Sequence, residues 1–234
     1  MKSTVDEIRR RFDHDVERFS NLQTGQSSTI DAPLILELIT ETIAAVHPGA
    51  TAILDIGCGA GNYTLKLLRE FPHADVTMVD LSQPMLSKAK ERTREVTSGT
   101  VCTIQADIRN LSLNEDSFDV ITAAAVLHHL RTEEEWKAVF KKLFNSLKSG
   151  GSFWIADLIE HNNPEIQQMM WERYGDYLTE LRGQAYRDKV FQYIKKEDTP
   201  RSLLFQLNLL KSVGFKTVEV LHKNNCFAAF GAIK

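Results

Sequence analysis

The sequence predicts an α/β domain, a mostly parallel sheet with helices on both faces that ends in an antiparallel hairpin. Three observations predict it. Short β-type runs alternate with amphipathic stretches between residues 52 and 157. A glycine-rich turn joins the first run to its helix. Two further β-type runs, close together near the end of the sequence, form the hairpin. The composition is that of an ordinary globular chain: 234 residues, 43% hydrophobic and 25% charged, with a net charge of −3, which excludes disordered and collagen-like classes.

The elements follow in order. Ile8, Phe12, Val16 and Phe19 recur at helical spacing in a charged segment, so residues 1–45 are expected to form a helical lid over something larger. Asn21–Thr29 reads as a loop, and Asp31 as the cap of a helix starting near Pro33. Strands are expected at Ala52–Asp55, Asp75–Val79, Val101–Gln105, Val120–Ala124 and Ser152–Asp157. Helices are expected at Asn62–Glu70, Gln83–Val96 and Glu133–Leu147. Residues 159–200 break the rhythm and read as a helical insertion over the site, rich in aromatics such as Trp171, Tyr174 and Phe191. A helix at Ser202–Val213 and β-type runs at Thr217–Leu221 and Cys226–Ala232, separated by His222–Asn225, complete the core, which comprises 46–158 and 201–234.

The apolar runs are too short to span a membrane, which takes about 20 residues. The start, MKSTVDEIRR, carries acids where an export signal would be apolar. Cys58, Cys102 and Cys226 fit neither a disulfide framework nor a zinc pattern. A cytoplasmic location is the expectation.

The chemistry concentrates at Asp55-Ile56-Gly57-Cys58-Gly59-Ala60-Gly61. Glycine lets a ligand approach bare main chain where a Cβ would intrude. At the end of the next strand Asp80 can accept the hydroxyls of a ribose. A dinucleotide fingerprint requires Gly-x-Gly-x-x-Gly, and here Asn62 stands at the third glycine position, which disfavours NAD. Ala106-Asp107-Ile108 offers an acceptor and apolar surface for an adenine. Several of these residues also have plain structural uses: Met85 as core, Ser82 as a helix cap, Cys58 as small packing, Asp107 as the cap of a turn.

Asp55-x-Gly57-x-Gly59-x-Gly61, followed by Asp80 and Asp107, resembles the class I S-adenosylmethionine-dependent methyltransferases over roughly residues 34–158. The resemblance implies a Rossmann-like, seven-stranded sheet with an antiparallel last strand, S-adenosyl-L-methionine as cofactor and S-adenosyl-L-homocysteine as product. It places Gly57 and Gly59 against the methionine portion, with Asp55, Cys58 and Gly61 in the same turn. Asp80 would take the ribose, Leu81 and Met85 would flank adenine, and Asp107 with Ile108 would meet its amine and ring edge. The residues after the fourth strand approach the transferable methyl in that family, which makes Ala124 a cofactor contact and His128 the candidate catalytic residue. No metal set is assigned, because adjacent histidines point apart on most backbones and no third ligand has a telling spacing.

The expected reaction is methyl transfer to a small-molecule acceptor. Residues 159–200 hold eight acids against six bases and show no basic stripe, so nucleic acid is disfavoured. The insertion's aromatics either line an acceptor pocket, with Arg173, Arg182 or Arg187 meeting an anion, or form the insertion's own core or a homodimer contact. A narrower resemblance, through Ser82-Gln83-Pro84-Met85, Asp107-Ile108-Arg109 and Leu210–Phe215, is to the carboxy-S-adenosylmethionine synthases of the tRNA wobble-uridine pathway. Only Arg201, displaced from the expected place, could grip the extra carboxylate. A non-catalytic adenosyl-ligand-binding protein is the alternative from another class.

Overall fold

The computed structural model describes residues 2–21 and 25–234. Part of the expected Asn21–Thr29 loop, residues 22–24, lies outside the described residues. Strands β1 (Ala52–Ile56), β2 (Asp75–Asp80), β3 (Val101–Gln105), β4 (Phe118–Ala124), β5 (Leu147–Leu158), β6 (Thr217–Asn224) and β7 (Phe227–Ile233) form one seven-stranded sheet in the order β3-β2-β1-β4-β5-β7-β6. The β7 strand runs antiparallel to both of its neighbours, and the other pairings are parallel. The chain walks outward from β1 to β3, then returns to place β4 on the other side of β1. That reversal opens a crevice beyond the carboxyl ends of β1 and β4.

Burial on both faces explains the apolar runs. Successive residues of β5 point to opposite sides: Phe153 joins the layer under α6 (Glu133–Ser146) and α9 (Leu203–Val213), while Trp154 joins that under α3 (Ala32–Val46), α4 (Asn62–Glu70) and α5 (Gln83–Arg94). A third cluster lies beneath the insertion, whose helices α7 (Pro164–Arg182) and α8 (Gln184–Glu197) stack Trp171 on Phe191 with ring centroids 4.7 Å apart. Tyr174 meets Phe227 edge-on, tying the insertion to β7. The insertion's aromatics therefore form its own core. Arg182 bonds the Ser27 hydroxyl and the Arg187 guanidinium lies over Phe191.

Three expectations are corrected. The amphipathic N-terminal segment is two helices, α1 (Val5–Asp13) and α2 (Val16–Ser20), interrupted at His14–Asp15. Asp31 precedes α3 in a left-handed conformation and makes no side-chain cap, because its carboxylate accepts hydrogen bonds from His222 and Asn224 instead. The hairpin connection is shorter than expected: β6 continues to Asn224, and the left-handed Asn225 takes the turn with Cys226. Among the described residues no helix is long and apolar enough to cross a membrane.

Candidate active site

The turn after β1 is built from its glycines, each for a different reason. Gly57, Gly59 and Gly61 all have positive φ. A Cβ on Gly57 would come within 2.6 Å of Val126, and one on Gly61 within 3.1 Å of Ala89, so these two permit close packing. A Cβ on Gly59 would meet nothing within 4 Å, so there the bare main chain faces open space. Asp55 holds the turn from below, accepting from the Thr64 hydroxyl at 2.6 Å and the Thr122 hydroxyl at 3.0 Å. Burial pushes its carboxyl up to about 6, although the two threonine bonds oppose the shift. Cys58 is buried against the α4 side of the core, and burial raises its thiol well above its usual range.

Asp80 ends β2 and bridges inward. One oxygen accepts from the Gly59 amide at 2.9 Å and the other from the Ser82 amide at 2.8 Å. Burial raises its pKa, opposed by these amides. Ser82 caps α5 by accepting from the Met85 amide. Asp107 is engaged by its neighbour: the Arg109 guanidinium donates to both carboxylate oxygens and reaches on to Glu135 at 3.2 Å. Burial would raise Asp107, but Arg109 outweighs it and the net shift is downward.

A cavity of about 240 Å³ lies over the ends of these strands. Gly57, Asp80, Leu81, Asp107 and Ile108 line it, and Ser3, Thr4, Val5 and Ile8 close it from α1 and the residues before it. Ile8 is only 3% exposed. Asp55, Cys58, Gly59, Gly61, Met85, Ala124 and His128 do not border this cavity; Met85 is core, at 1% exposure. Arg173, Arg182, Arg187 and Arg201 do not border it either, and the Arg201 guanidinium lies over Phe205.

The fourth strand delivers the histidines. Ala125 follows β4 with φ +53, a costly conformation for a residue with a Cβ, and the chain then makes a single 3-10 turn over Leu127–His129. His128 is buried, its Nδ1 bonded to Asp157 near the end of β5, while its backbone amide donates to the other Asp157 oxygen at 3.1 Å. Its Nε2 faces Asp198 Oδ1 at 3.7 Å, just past the C-terminus of α8. Burial alone would lower His128, but Asp157 and Asp198 raise it to about 9. His129 borders the cavity, 3.4 Å from Asp198, and burial followed by repulsion from His128 drives its pKa well down. Burial raises Asp198 to about 6, against the pull of His128.

Sequence reasoning did not single out Asp157, His129 or Asp198 as a group. Asp157 carried a signal, being an acid at a parallel strand's carboxyl end as Asp80 is. Asp198 carried none, since it reaches the histidines only through the fold of the insertion.

Residues 53–151 match the methyltransferase-domain family model. The chain is 26% identical over 188 residues to a carboxy-S-adenosyl-L-methionine synthase of Nautilia profundicola, covering 78% of this chain and 76% of that protein. It is 28% identical over 174 residues to a malonyl-[acyl-carrier protein] O-methyltransferase of a Paenibacillus species, covering 73% of this chain but only 61% of that enzyme. Human N-acetylserotonin methyltransferase, solved in complex with S-adenosylmethionine, superposes with a TM-score of 0.60 at 16% identity, over 97% of this chain and 56% of its own. Strand order, glycine turn and these likenesses converge: residues 53–151 match a methyltransferase-domain model, and the chain has the Rossmann-like fold of the class I S-adenosylmethionine-dependent methyltransferases.

Proposed function

We propose that the chain transfers the sulfonium methyl of S-adenosylmethionine to a small-molecule acceptor by in-line displacement. The observation that carries this reading is the cavity at the sheet's topological switch, lined by Gly57 and the Asp80 carboxylate, with the open main chain of Gly59 held beside it by Asp80. Each Asp80 oxygen accepts one amide and keeps acceptor capacity for a ribose hydroxyl. Leu81 and Ile108 supply apolar walls for adenine, the part first expected of Leu81 with the now core-bound Met85, and Asp107 offers an acceptor already fixed by Arg109. Asp55, Cys58 and Gly61 shape the turn rather than touch the ligand, and Gly59 faces the methionyl portion.

When bound, the cofactor supplies an electrophilic methyl carbon, and the sulfur keeps the bonding electrons as the acceptor's lone pair attacks. The chain's own part is positioning and exclusion of water. Ile8 and the start of α1 cover the cavity, which favours a small acceptor over a polymer. His128, the expected catalytic residue, is held by Asp157 behind the cavity, and the proposed contact with the acceptor passes to His129 beside it, which borders the cavity.

The test is calorimetry with adenosylhomocysteine followed by turnover of labelled adenosylmethionine against a metabolite panel. No binding defeats the reading; binding without turnover leaves a non-catalytic binder. The relative from Nautilia favours a second reading, a carboxy-S-adenosylmethionine synthase-like enzyme. Arg201 stays outside the cavity, which weighs against it. The mass of any copurified ligand separates the two.

A further inference from the structure

Three side chains meet next to the cavity, buried His128 and Asp198 and half-buried His129, and two of them, His129 and Asp198, carry buried polar atoms without hydrogen-bond partners. Asp198 is 4% exposed and its Oδ1 makes no hydrogen bond. Neither ring nitrogen of His129 makes one of normal geometry, although the Glu197 backbone carbonyl lies close enough to weigh on its charge. Leaving a buried polar atom unpaired is costly, so three such atoms in one place call for something between them.

We propose that His128, His129 and Asp198 form a binding site for a divalent transition cation, with Zn2+ the best-matched ion. His128 Nε2, His129 Nδ1 and Asp198 Oδ1 converge: the carboxylate oxygen stands 3.7 Å from the first and 3.4 Å from the second, and all three ligand atoms lie within 4.8 Å of one another. Ligands about 2.0–2.1 Å from a tetrahedral zinc stand roughly 3.4 Å apart, so only small rotations would close the set. Two imidazoles and a carboxylate are also a donor set that suits zinc better than magnesium or calcium.

The surroundings are those of a metal site. His128 donates from Nδ1 to Asp157, which turns Nε2 toward Asp198, where a cation would replace the Nε2 proton; Asp157 is itself satisfied by the amides of His128 and Leu158. Asp198 follows the C-terminus of α8, where exposed carbonyls disfavour another negative charge and favour a cation. Neither the nearby arginines nor Lys2 pairs with the Asp198 carboxylate. Arg11 is bound to Glu197 at 3.1 Å, Lys2 hydrogen-bonds the Asp198 carbonyl rather than its carboxylate, and Arg131 bonds Thr199 and the Ser3 carbonyl. Entry is available, because Asp198 also borders an outer cleft of about 440 Å³ lined by Lys2, Trp171 and Phe191.

Three protein ligands leave an open coordination position, the arrangement that lets a cation polarise an oxygen of a bound molecule. His129 borders the main cavity, so a molecule held there could supply that oxygen. The cation site itself does not depend on the methyl-transfer reading.

The test uses the full chain without a histidine tag, stripped with chelator and then titrated with Zn2+ by calorimetry, alongside Co2+ absorption spectroscopy. The expected result is one equivalent of Zn2+ retained through gel filtration and the intense visible bands of four-coordinate Co2+. His129→Ala and Asp198→Asn should each lower Zn2+ affinity by about tenfold or more. Failure of the wild-type chain to retain an equivalent, or only weak octahedral Co2+ bands, overturns the proposal whatever the variants do. Undiminished uptake by both folded variants, with circular dichroism unchanged, overturns it as well. Adenosylhomocysteine binding, measured on the stripped wild-type chain, reports separately on the cofactor reading.

Discussion

The Asp80 carboxylate accepts the Gly59 amide at 2.9 Å, so the end of β2 holds in place the one turn glycine whose missing Cβ leaves open space. A single side chain thus both shapes the cradle and faces the cavity.

Replacing it separates these tasks. Asp80→Ala is expected to weaken adenosylhomocysteine binding by roughly 1–3 kcal/mol, through lost hydroxyl acceptors and a loosened turn. Asp80→Asn keeps one acceptor oxygen and should lose less. Calorimetry of the two variants, with near-UV circular dichroism confirming the fold, checks the order.

The glycines should part company on substitution. Gly57→Ala sets a Cβ 2.6 Å from Val126 in a left-handed conformation, so it should destabilise the fold by about 1–3 kcal/mol or more. Gly59→Ala meets no neighbour and should cost only about 1 kcal/mol of backbone strain, while its methyl occupies space meant for ligand. Urea unfolding and ligand titration of both variants distinguish a packing glycine from a binding one.

Asp55 gives the stability a pH dependence. Its carboxyl is raised in the folded state to about 6 from an ordinary value of 3.8. The folded chain therefore binds the proton more tightly than the unfolded one. This contribution is fully present below the unfolded value and is lost as pH rises through about 6. Between pH 7 and pH 5 it should add about 1 kcal/mol to the unfolding free energy, and Asp55→Asn should remove that part of the slope.

Arg11 fastens the covering helix. It donates to Tyr193 at 2.6 Å and to Glu197 at 3.1 Å, and lies over the rings of Phe12 and Tyr193. Arg11→Ala should free α1 from α8, raising both association and dissociation rates of adenosylhomocysteine several-fold in stopped-flow measurements. It should also cost about 1–3 kcal/mol of stability, since Glu197 is left buried alone.

Much of this architecture was legible in the residues. The strands and helices up to β3 announced themselves by periodicity, and the boundaries of α4 and β3 agree with the expectation, because glycine, serine and proline punctuate them. Asp55, Asp80 and the glycine turn were visible because short-range backbone geometry demands those residue types. The start of β5 was not: Leu147 pairs with Phe118 ahead of Gly150, and only the neighbouring strand reveals that extension. Asp107 looked like a free acceptor, yet Arg109 two residues on folds back onto it. The meeting of His129 with Asp198 is tertiary, created when the insertion lays the end of α8 against the turn after β4.

The placement of β7 bears on how the molecule is made. This strand pairs with β5 on one side and β6 on the other, and six of its seven residues are buried. Every other strand leaves the ribosome before it does. Until Phe227–Ile233 emerge, the β5 edge remains unpaired and the Trp154 and Phe230 layers lack their closing surface. Nascent chains should therefore hold a sticky, half-finished sheet, and a stall at that stage would favour clumping over completion.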